Sequence, residues 1–357
     1  MKIIDLVRKN IKNVQPYQSA RRIGGSGDIW LNANELPIST LFKEKIKNLN
    51  RYPSFQSKKL ISYYSSYIGC KKDQILVTRG ADEGIELLIR AFCEPKIDAI
   101  ITCPPTYDMY RICAQLFNVE NKLCFRLSNW NLNILDIEKK INNVKIIYIC
   151  NPNNPTGNLI KVNDIKKILE ISFDRSLVVV DEAYIEFFPD GSCLSLLSKY
   201  TNLVILRTLS KAFGLASIRC GFVISHSEII NMLSKVIAPY PLPGPVEQIA
   251  ISSLKKQKIF FMNNYINSLI ETRNWFFNEL KKCSCVKKVF NSFANFLLVK
   301  FNCFELVISF LKKNGIVIRN QTEKYGLQRC IRISIGTHSE CLFFLKVIKN
   351  IKNRKQK

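Results

Sequence analysis

Histidine is scarce in this chain of 357 residues, which contains two histidines and thirteen cysteines. The cysteines are scattered and form no Cys-x-x-Cys pair. Zinc sites and disulfide frameworks both need regularly spaced ligands or partners, so this pattern argues against either and favours a reducing cytoplasm. We therefore expect no metal and a cytoplasmic location.

Long apolar runs are also missing, and no stretch approaches the length of a transmembrane helix. The first ten residues contain Asp5, Arg8 and Lys9 but neither an apolar core nor a small-residue cleavage site, so we expect no signal peptide. Hydrophobic residues make up 47% and charged residues 23% of the chain. These fractions are typical of a soluble protein that buries a substantial core, with no membrane partner.

Acidic residues are few, 28 against 53 lysines and arginines, which gives a net charge of +25. A nucleic-acid-binding protein would have this balance. Here, however, the basic residues are spread from Lys2 to Lys357, and no aromatic-flanked basic cluster appears. We therefore attribute the net charge to a drift of the composition toward Lys, Asn and Ile, and we expect no nucleic-acid partner. A positive field would still attract an anionic substrate.

Apolar, β-branched runs predict six buried strands of a mostly parallel sheet. The runs cover residues 74–78, 99–103, 145–150, 177–181, 203–208 and 221–225. Helical stretches lie between several of them, for example at residues 84–92 and 163–172. Such alternation implies βαβ crossovers and an α/β fold.

A proline-rich loop at residues 239–245 interrupts this alternation. The elements predicted after it are helices at residues 246–258, 265–282, 304–313 and from Ser339, with strands at 296–301, 315–319 and 330–335. They indicate a smaller α+β unit. We divide the chain into an N-terminal arm (1–28), a large ligand-binding domain (29–243) and a small C-terminal domain (244–357), whose basic tail from Lys349 we expect to fray.

Asp181 ends one of the predicted strands and is followed three residues later by Tyr184. A carboxylate at the end of a buried parallel strand faces the crevice where α/β proteins bind ligands. An ionised aspartate there needs a cation, such as a protonated pyridine nitrogen, and Tyr184 could donate to a phenolic oxygen of the same ring. The alternative is that Asp181 only caps the start of a helix.

Two other strand ends lead into distinctive turns. Residues 151–157 read NPNNPTG, a rigid turn that could direct the amide of Asn154 back toward the strand end, or simply a tight turn. Residues 78–84 read TRGADEG and join a strand to a helix, whose free N–H groups could bind a phosphate. The acids in that first helical turn would oppose a phosphate unless they point away.

Lys211 lies in the run LRTLSKAFGL, with Arg219 eight positions further on. Hydroxyls, small residues and a nearby guanidinium suit a Schiff-base lysine beside a phosphate-binding arginine. Together with Asp181, Tyr184, Asn154 and the turn at residues 78–84, this run supplies what pyridoxal 5′-phosphate requires.

On these motifs the chain resembles fold-type I aminotransferases of class I/II, which combine a large domain around a mostly parallel sheet with a smaller α+β domain. The matching stretches are residues 31–35, 51–53, 78–95, 103–110, 151–157, 178–187, 206–222, 239–242 and 331–337. They occur in the family's order and spacing. Residues 16–22 (PYQSARR) also resemble the N-terminal arm of bacterial members. The resemblance is closest to members that act on histidinol phosphate.

The resemblance implies a role for each matching position. Lys211 would be the Schiff-base lysine and the proton carrier, and Asp181 would pair with the pyridine nitrogen. The other implied cofactor contacts are Tyr52, Ala81, Asp82, Tyr107, Asn154, Tyr184, Thr208, Ser210 and Arg219. Because Tyr52 would reach the site of a neighbouring subunit, complete sites would require a homodimer.

Arg332 would bind the substrate's anionic end through a bidentate fork, helped by Arg319. Tyr17 of the arm would close over the imidazole end, with Asn34 near the entrance. The alternative for Arg319 is a surface charge at a strand end. The implied reaction transfers an amino group between histidinol phosphate and 2-oxoglutarate, giving imidazole acetol phosphate and glutamate in histidine biosynthesis.

Three other functions remain open from the sequence. An aromatic aminotransferase or a threonine-phosphate decarboxylase would keep the fold and cofactor but change the substrate or the reaction. A basic nucleic-acid-binding protein that has lost catalysis would account for the net charge, but the intact set of lysine, aspartate, tyrosine and arginines argues against it.

Overall fold

The computed structural model describes residues 7–12, 14–24, 26–38 and 49–351. The β-strands in these ranges are β1 (Ile29–Leu31), β2 (Ile75–Thr78), β3 (Ala99–Thr102), β4 (Glu120–Leu123), β5 (Val144–Cys150), β6 (Leu177–Asp181), β7 (Leu203–Thr208), β8 (Gly221–Ser225), β9 (Val286–Val289), β10 (Phe296–Phe301), β11 (Ile316–Asn320) and β12 (Cys330–Ser334). The α-helices are α1 (Lys9–Lys12), α2 (Ala20–Ile23), α3 (Lys58–Ile68), α4 (Gly80–Phe92), α5 (Met109–Phe117), α6 (Ile134–Lys140), α7 (Val162–Ile171), α8 (Ser227–Val236), α9 (Gly244–Ser253), α10 (Lys256–Lys281), α11 (Phe304–Lys313) and α12 (His338–Lys349). None of the helices in these ranges is long and apolar enough to span a membrane.

Seven strands form the larger sheet in the order β2-β8-β7-β6-β5-β3-β4. The pairs from β4 to β7 are all parallel, whereas β8 runs antiparallel to both of its neighbours. The predicted mostly parallel sheet is confirmed, and its six predicted strands agree with the structure to within one residue at each end. β4 is a seventh strand, which the sequence did not predict.

Apart from the edge strand β4, the strands of the larger sheet are buried on both faces, as their continuous apolar runs require. Along β6 the side chains alternate, so that Val178 and Val180 pack in one core with Phe276 of α10. Val179 points to the other core, which it shares with Ile85 of α4. The helices on the two faces hold β6 rigidly in the middle of the sheet.

Five strands form a second sheet in the order β1-β11-β12-β10-β9. Four of them come from the C-terminal part of the chain, as expected for a smaller α+β unit. β1 is an exception, because residues 29–31 pair in parallel with β11 through Ile29 and Ile316. The proposed domain boundary at residue 29 therefore assigns to the large domain a strand that hydrogen-bonds in the C-terminal sheet.

The register of the larger sheet aligns the ends of three parallel strands. Cys150 of β5 pairs with Asp181 of β6, and Asp181 pairs with Leu206 of β7. The segments that leave these strands begin with Asn151, Glu182 and Leu209, so they emerge at one edge of the sheet. Ligand sites of open α/β sheets lie at this edge.

Candidate active site

One cavity opens at the carboxyl ends of β5, β6 and β7, beside the second sheet. Every predicted site residue except Tyr52 lines it. Its empty space, including the open mouth, is about 940 Å³. A cavity of this size accommodates a ligand as large as a cofactor with a small substrate.

Asp181 lies at the bottom of this cavity with 3% of its surface exposed. The Tyr110 hydroxyl donates to its Oδ2 at 2.6 Å and the Ala183 N–H donates to its Oδ1 at 3.1 Å. Burial raises the pKa of Asp181 to about 6, against the lowering effect of these two hydrogen bonds. No basic side chain of the described residues forms an ion pair with this carboxylate, so a cationic ligand group would stabilise its charged form.

Lys211 lies just after β7, and its Nζ donates to the carbonyl of Ala33 at 2.9 Å. Burial lowers the pKa of Lys211 to about 8, and the positive charge of Arg332 adds to the effect. A larger fraction of the amine is therefore neutral near physiological pH than in an exposed lysine. A neutral amine is the form that acts as a nucleophile or a general base.

The start of α4 forms a concave surface against Arg219. Gly80 adopts a φ of +74°, and a Cβ added there would lie 2.8 Å from Nη2 of Arg219. A Cβ at Gly221 would collide with the backbone of Gly80. Only glycine fits at these positions, which leaves the first N–H groups of α4 close to a guanidinium, a favourable arrangement for an anion.

Side chains around Arg219 complete this concave surface. Its Nη1 donates to the Ser210 hydroxyl at 3.3 Å, and Thr208 Oγ1 donates to the same hydroxyl at 2.9 Å. The carboxylate of Asp82 does not point away from the surface, because its Oδ2 lies 3.1 Å from Nη2 of Arg219. A phosphate bound here would share Arg219 with Asp82.

A chain of hydrogen bonds links Tyr184 to the second sheet. Asn34 and Asn154 donate to the Tyr184 hydroxyl through their Nδ2 atoms, at 3.0 and 3.4 Å. Arg332 Nη1 in turn donates to Asn154 Oδ1 at 2.7 Å. Asn34 is only 1% exposed, so it lies deeper than the entrance position expected from the sequence.

Two tyrosines pack at the mouth of the cavity. The ring of Tyr107 meets that of Tyr17 edge to face at 6.1 Å between centroids, and it meets Tyr110 in the same way at 5.7 Å. The Tyr107 hydroxyl donates to Asp82 Oδ1 at 3.0 Å. The arm residue Tyr17 therefore lines the cavity together with Tyr107.

Arg319 and Arg332 are directly opposite each other in the register of β11 and β12. Arg332 Nη2 donates to the carbonyl of Asn32 at 2.8 Å, and Arg319 Nη2 donates to the carbonyl of Gln18. Arg332 Nε and Arg319 Nη1 are buried and have no hydrogen-bond partner among the residues that the structure describes. Like charges in opposed positions are destabilising, and unpaired buried donors add to that cost. An anion between the two side chains would relieve both.

Several residues that line or support the site were not predicted to belong to it, and two of them bear on its chemistry. Tyr110 bonds Asp181 from α5, and Lys324 lines the cavity from the loop after β11. Tyr52 lies away from this cavity, is 81% exposed and stacks on Tyr240 with 4.5 Å between ring centroids.

Known proteins match this chain over nearly its full length. The family described as Aminotransferase class I and II matches residues 26–348. Histidinol-phosphate aminotransferase of Buchnera aphidicola subsp. Schizaphis graminum (strain Sg) is 55% identical over 346 residues, which cover 97% of this chain and 98% of that protein. The protein of the same name from Blochmanniella floridana is 48% identical over 348 residues, 98% of each chain. This chain belongs to the aminotransferase class I and II family.

Solved structures agree with the fold. The histidinol-phosphate aminotransferase of Clostridium acetobutylicum superposes with a TM-score of 0.83 at 29% identity, over 91% of this chain and 99% of that chain. The Sinorhizobium meliloti enzyme of that name, solved with pyridoxal 5′-phosphate, gives 0.86 over 97% of both chains. Its identity is 18%, so this second likeness concerns the fold alone. The predicted fold-type I architecture is confirmed.

Members of this family are aminotransferases that depend on pyridoxal 5′-phosphate. This chain is likewise an aminotransferase that depends on pyridoxal 5′-phosphate. The cavity fits that group. Its buried Asp181 calls for a cation such as a pyridinium, and the surface that Gly80 leaves open beside Arg219 suits a phosphate. Lys211 supplies an amine of lowered pKa for covalent attachment.

Proposed function

We propose that this chain is a histidinol-phosphate transaminase. It would transfer an amino group between L-histidinol phosphate and 2-oxoglutarate, giving imidazole acetol phosphate and glutamate in histidine biosynthesis. The observation that supports this substrate is the opposed pair Arg319 and Arg332, each with a buried donor that has no partner in the described part of the chain. A phosphate monoester would satisfy both donors and both charges, and the relatives' names agree with this choice.

We propose the following roles for the part of the site around Asp181, Lys211 and Arg219, which we call the cofactor half. Asp181 would hold the pyridine nitrogen, and Tyr184 with Asn154 would hold the ring oxygen. Tyr107 would pack on the ring face. The phosphate would be held by the backbone of Ala81 and Asp82 and by Thr208, Ser210 and Arg219. When bound, the cofactor supplies an electron sink next to the substrate's Cα.

Lys211 would carry the proton in this reaction. Its lowered pKa keeps part of the amine neutral, so Nζ could accept and hold a proton from the substrate's Cα. Asp181 would keep its negative charge against the pyridine nitrogen while this happens. The rigid setting of β6, packed on both faces, holds the carboxylate in place.

The part of the site around Arg319 and Arg332, which we call the substrate half, would bind two different anions in turn. The phosphate of histidinol phosphate would lie between Arg319 and Arg332, and the α-carboxylate of glutamate would later use Arg332. Tyr17 would close over the imidazole ring. The buried Asn34 donates a hydrogen bond to the Tyr184 hydroxyl and would orient that tyrosine. It would also limit the space beside the substrate.

A homodimer with shared sites is part of this proposal. The RYP segment ends far from the chain's own cavity, with Tyr52 exposed and stacked on Tyr240. Two stacked tyrosines left in solvent are typical of residues that a partner covers. We propose that Tyr52 reaches the cofactor phosphate in the neighbouring subunit.

We also propose a cytoplasmic location. All thirteen cysteines are free thiols, and most are buried. Free buried thiols persist in a reducing compartment and would be at risk of oxidation outside it.

The experiment that tests this function is a spectral titration of the purified holoenzyme with histidinol phosphate. We expect the visible absorbance of the lysine-bound cofactor to disappear and the band of its aminated form to grow, with the original spectrum restored by 2-oxoglutarate. Parallel titrations use phenylalanine and threonine phosphate. A response to phenylalanine alone would identify an aromatic aminotransferase, and carbon dioxide release from threonine phosphate would identify a decarboxylase.

A further inference from the structure

Lys324 lies at the same end of the cavity as Arg319 and Arg332. Two turns fix the loop around it, because its N–H donates to the Gln321 carbonyl and its own carbonyl accepts from the Leu327 N–H, both at 3.0 Å. The lysine is therefore held in place by its backbone and does not depend on a bound ligand for its position.

The ammonium of Lys324 connects the second sheet to the segment that contains Tyr107. Its Nζ lies 2.8 Å from Oδ2 of Asp108 and donates to the carbonyl of Thr106 at 2.9 Å. The side chains of Lys324 and Asp108 are 23% and 37% exposed, so the pair lies at the rim of the cavity. An ammonium has three N–H donors, and these two contacts leave one for a ligand oxygen.

The charges at this end of the cavity exceed what a carboxylate needs. Arg319, Arg332 and Lys324 are positive and Asp108 is negative, which leaves two net positive charges. A carboxylate would neutralise one of them, whereas a dianionic phosphate monoester would neutralise both. Charge complementarity therefore favours the phosphate ester.

We propose that Lys324 is a specificity-determining residue that favours a dianionic phosphate monoester over a singly charged carboxylate at the Arg319–Arg332 end of the cavity. This inference rests on the proposed function, from which it takes the phosphate ester as substrate. Burial lowers the pKa of Lys324, Asp108 opposes this, and Arg332 and Arg319 add to the lowering. A bound dianion would restore the preference for the charged ammonium.

A different role for Lys324 would be a simple tether that holds Tyr107 through Asp108 and Thr106. Three variants separate the two roles. Lys324→Met removes both the charge and the tether, Asp108→Asn removes the ion pair but keeps the ammonium, and Lys324→Arg keeps a cation. Each holoenzyme is assayed for kcat and KM with histidinol phosphate and with glutamate.

We expect Lys324→Met to raise the KM for histidinol phosphate about tenfold, the loss of one hydrogen bond to a charged group. Its kcat and its KM for glutamate should change by less than about twofold, and Lys324→Arg should restore the phosphate-ester KM to within about threefold. Asp108→Asn should lower the KM for histidinol phosphate, because it removes a competing negative charge. If Lys324→Met and Asp108→Asn instead raise both KM values in parallel, the residue is a tether and the proposal is wrong.

A binding measurement separates this inference from the proposed function. The melting temperature of each holoenzyme is measured at pH 8 with inorganic phosphate and, at matched ionic strength, with acetate. We expect phosphate to stabilise the wild type more than acetate does, and Lys324→Met to lose most of that difference. If the wild type binds phosphate in this way but does not turn over histidinol phosphate, the proposed function fails and the inference stands. If histidinol phosphate is turned over and neither its KM nor the phosphate effect depends on Lys324, the inference fails and the function stands.

Discussion

The two halves of the cavity treat charge in different ways. Around Asp181 and Arg219, nearly every charged atom already has a partner within the chain: Tyr110 and the Ala183 N–H for the aspartate, Ser210 and Asp82 for the arginine. At the other end, Arg319 and Arg332 face each other, and each has one buried donor without a partner in residues 7–12, 14–24, 26–38 and 49–351.

This difference matches what each half would bind. A cofactor that stays attached through many turnovers can be held by a site whose parts also support one another. A substrate that must leave is better held by a site that is incomplete without it, because its binding relieves repulsion and satisfies donors only while it is present.

Replacing Lys211 with alanine should affect the cofactor half most severely. We expect turnover to fall by at least about 10³-fold, because the proposed proton carrier is lost. Borohydride reduction of the variant with added pyridoxal 5′-phosphate should give no mass increase. The control is Lys167→Ala on the exposed face of α7, which should label and turn over like the wild type. Wild-type rates in Lys211→Ala would refute the assigned role.

Arg332→Lys should affect the substrate half while leaving the cofactor in place. We expect kcat/KM for histidinol phosphate to fall about 100-fold, because lysine keeps the charge but loses the planar fork. The matched variant Arg319→Lys, whose side chain is less buried, should lose about tenfold. Cofactor affinity, measured by titrating the apo-protein, should change little. If Arg332→Lys lowered the affinity for the cofactor more than the affinity for the substrate, the proposed division of the cavity into two halves would be wrong.

The pH dependence of cofactor attachment should report on Lys211. Its pKa is lowered to about 8, and only the neutral amine reacts, so the rate should rise with pH and level off above that value. Below it, the rate should fall about tenfold per pH unit. The rate is measured by rapid mixing of apo-protein with pyridoxal 5′-phosphate across pH 6 to 10. A midpoint near the usual lysine pKa of about 10.4 would mean that the amine is not buried in solution.

Tyr110→Phe should give the smallest effect, and it tests how the pKa of Asp181 controls cofactor binding. The hydrogen bond from Tyr110 lowers the pKa of Asp181 against the effect of burial, so its loss should raise that pKa above about 6. Cofactor binding needs the ionised carboxylate and should therefore weaken as pH falls, at a higher pH in the variant than in the wild type. We expect about a threefold weaker affinity at pH 6.5 and little change at pH 8. Tyr148→Phe, which leaves Asp181 untouched, is the control.

The sequence predicted the strands of the large sheet because both faces of each strand are apolar. The strands that it did not predict are polar or short: β4 (Glu120–Leu123) and β9 (Val286–Val289) lie at sheet edges, and β1 has only three residues. β4 buries none of its residues and β9 buries only Val289, so the apolar periodicity of both strands is weak. The sequence predicted helices at residues 246–258 and 265–282, so the first three residues of α10 were joined to α9 and residues 259–264 were not predicted as helix. The structure ends α9 at Ser253 and begins α10 at Lys256.

The candidate site was predicted as far as local motifs allowed. Lys211, Asp181 and Arg219 each lie in a stretch whose pattern marks them. Tyr110 was missed because its partner lies 71 positions away, and α5, which contains it, was not predicted. Lys324 was missed because a loop lysine has no local pattern. That Arg319 and Arg332 are directly opposed follows from strand register, which one sequence does not encode in any short motif.

The most direct measurement of the central claim is the ratio of kcat/KM for histidinol phosphate to kcat/KM for histidinol, which lacks the phosphate. Because Arg319 and Arg332 would both bind the phosphate, we expect a ratio of at least about 10³ in the wild type. Arg332→Lys should reduce that ratio sharply. A wild-type ratio within about threefold of one would mean that the opposed arginines do not recognise a phosphate, and it would contradict the account.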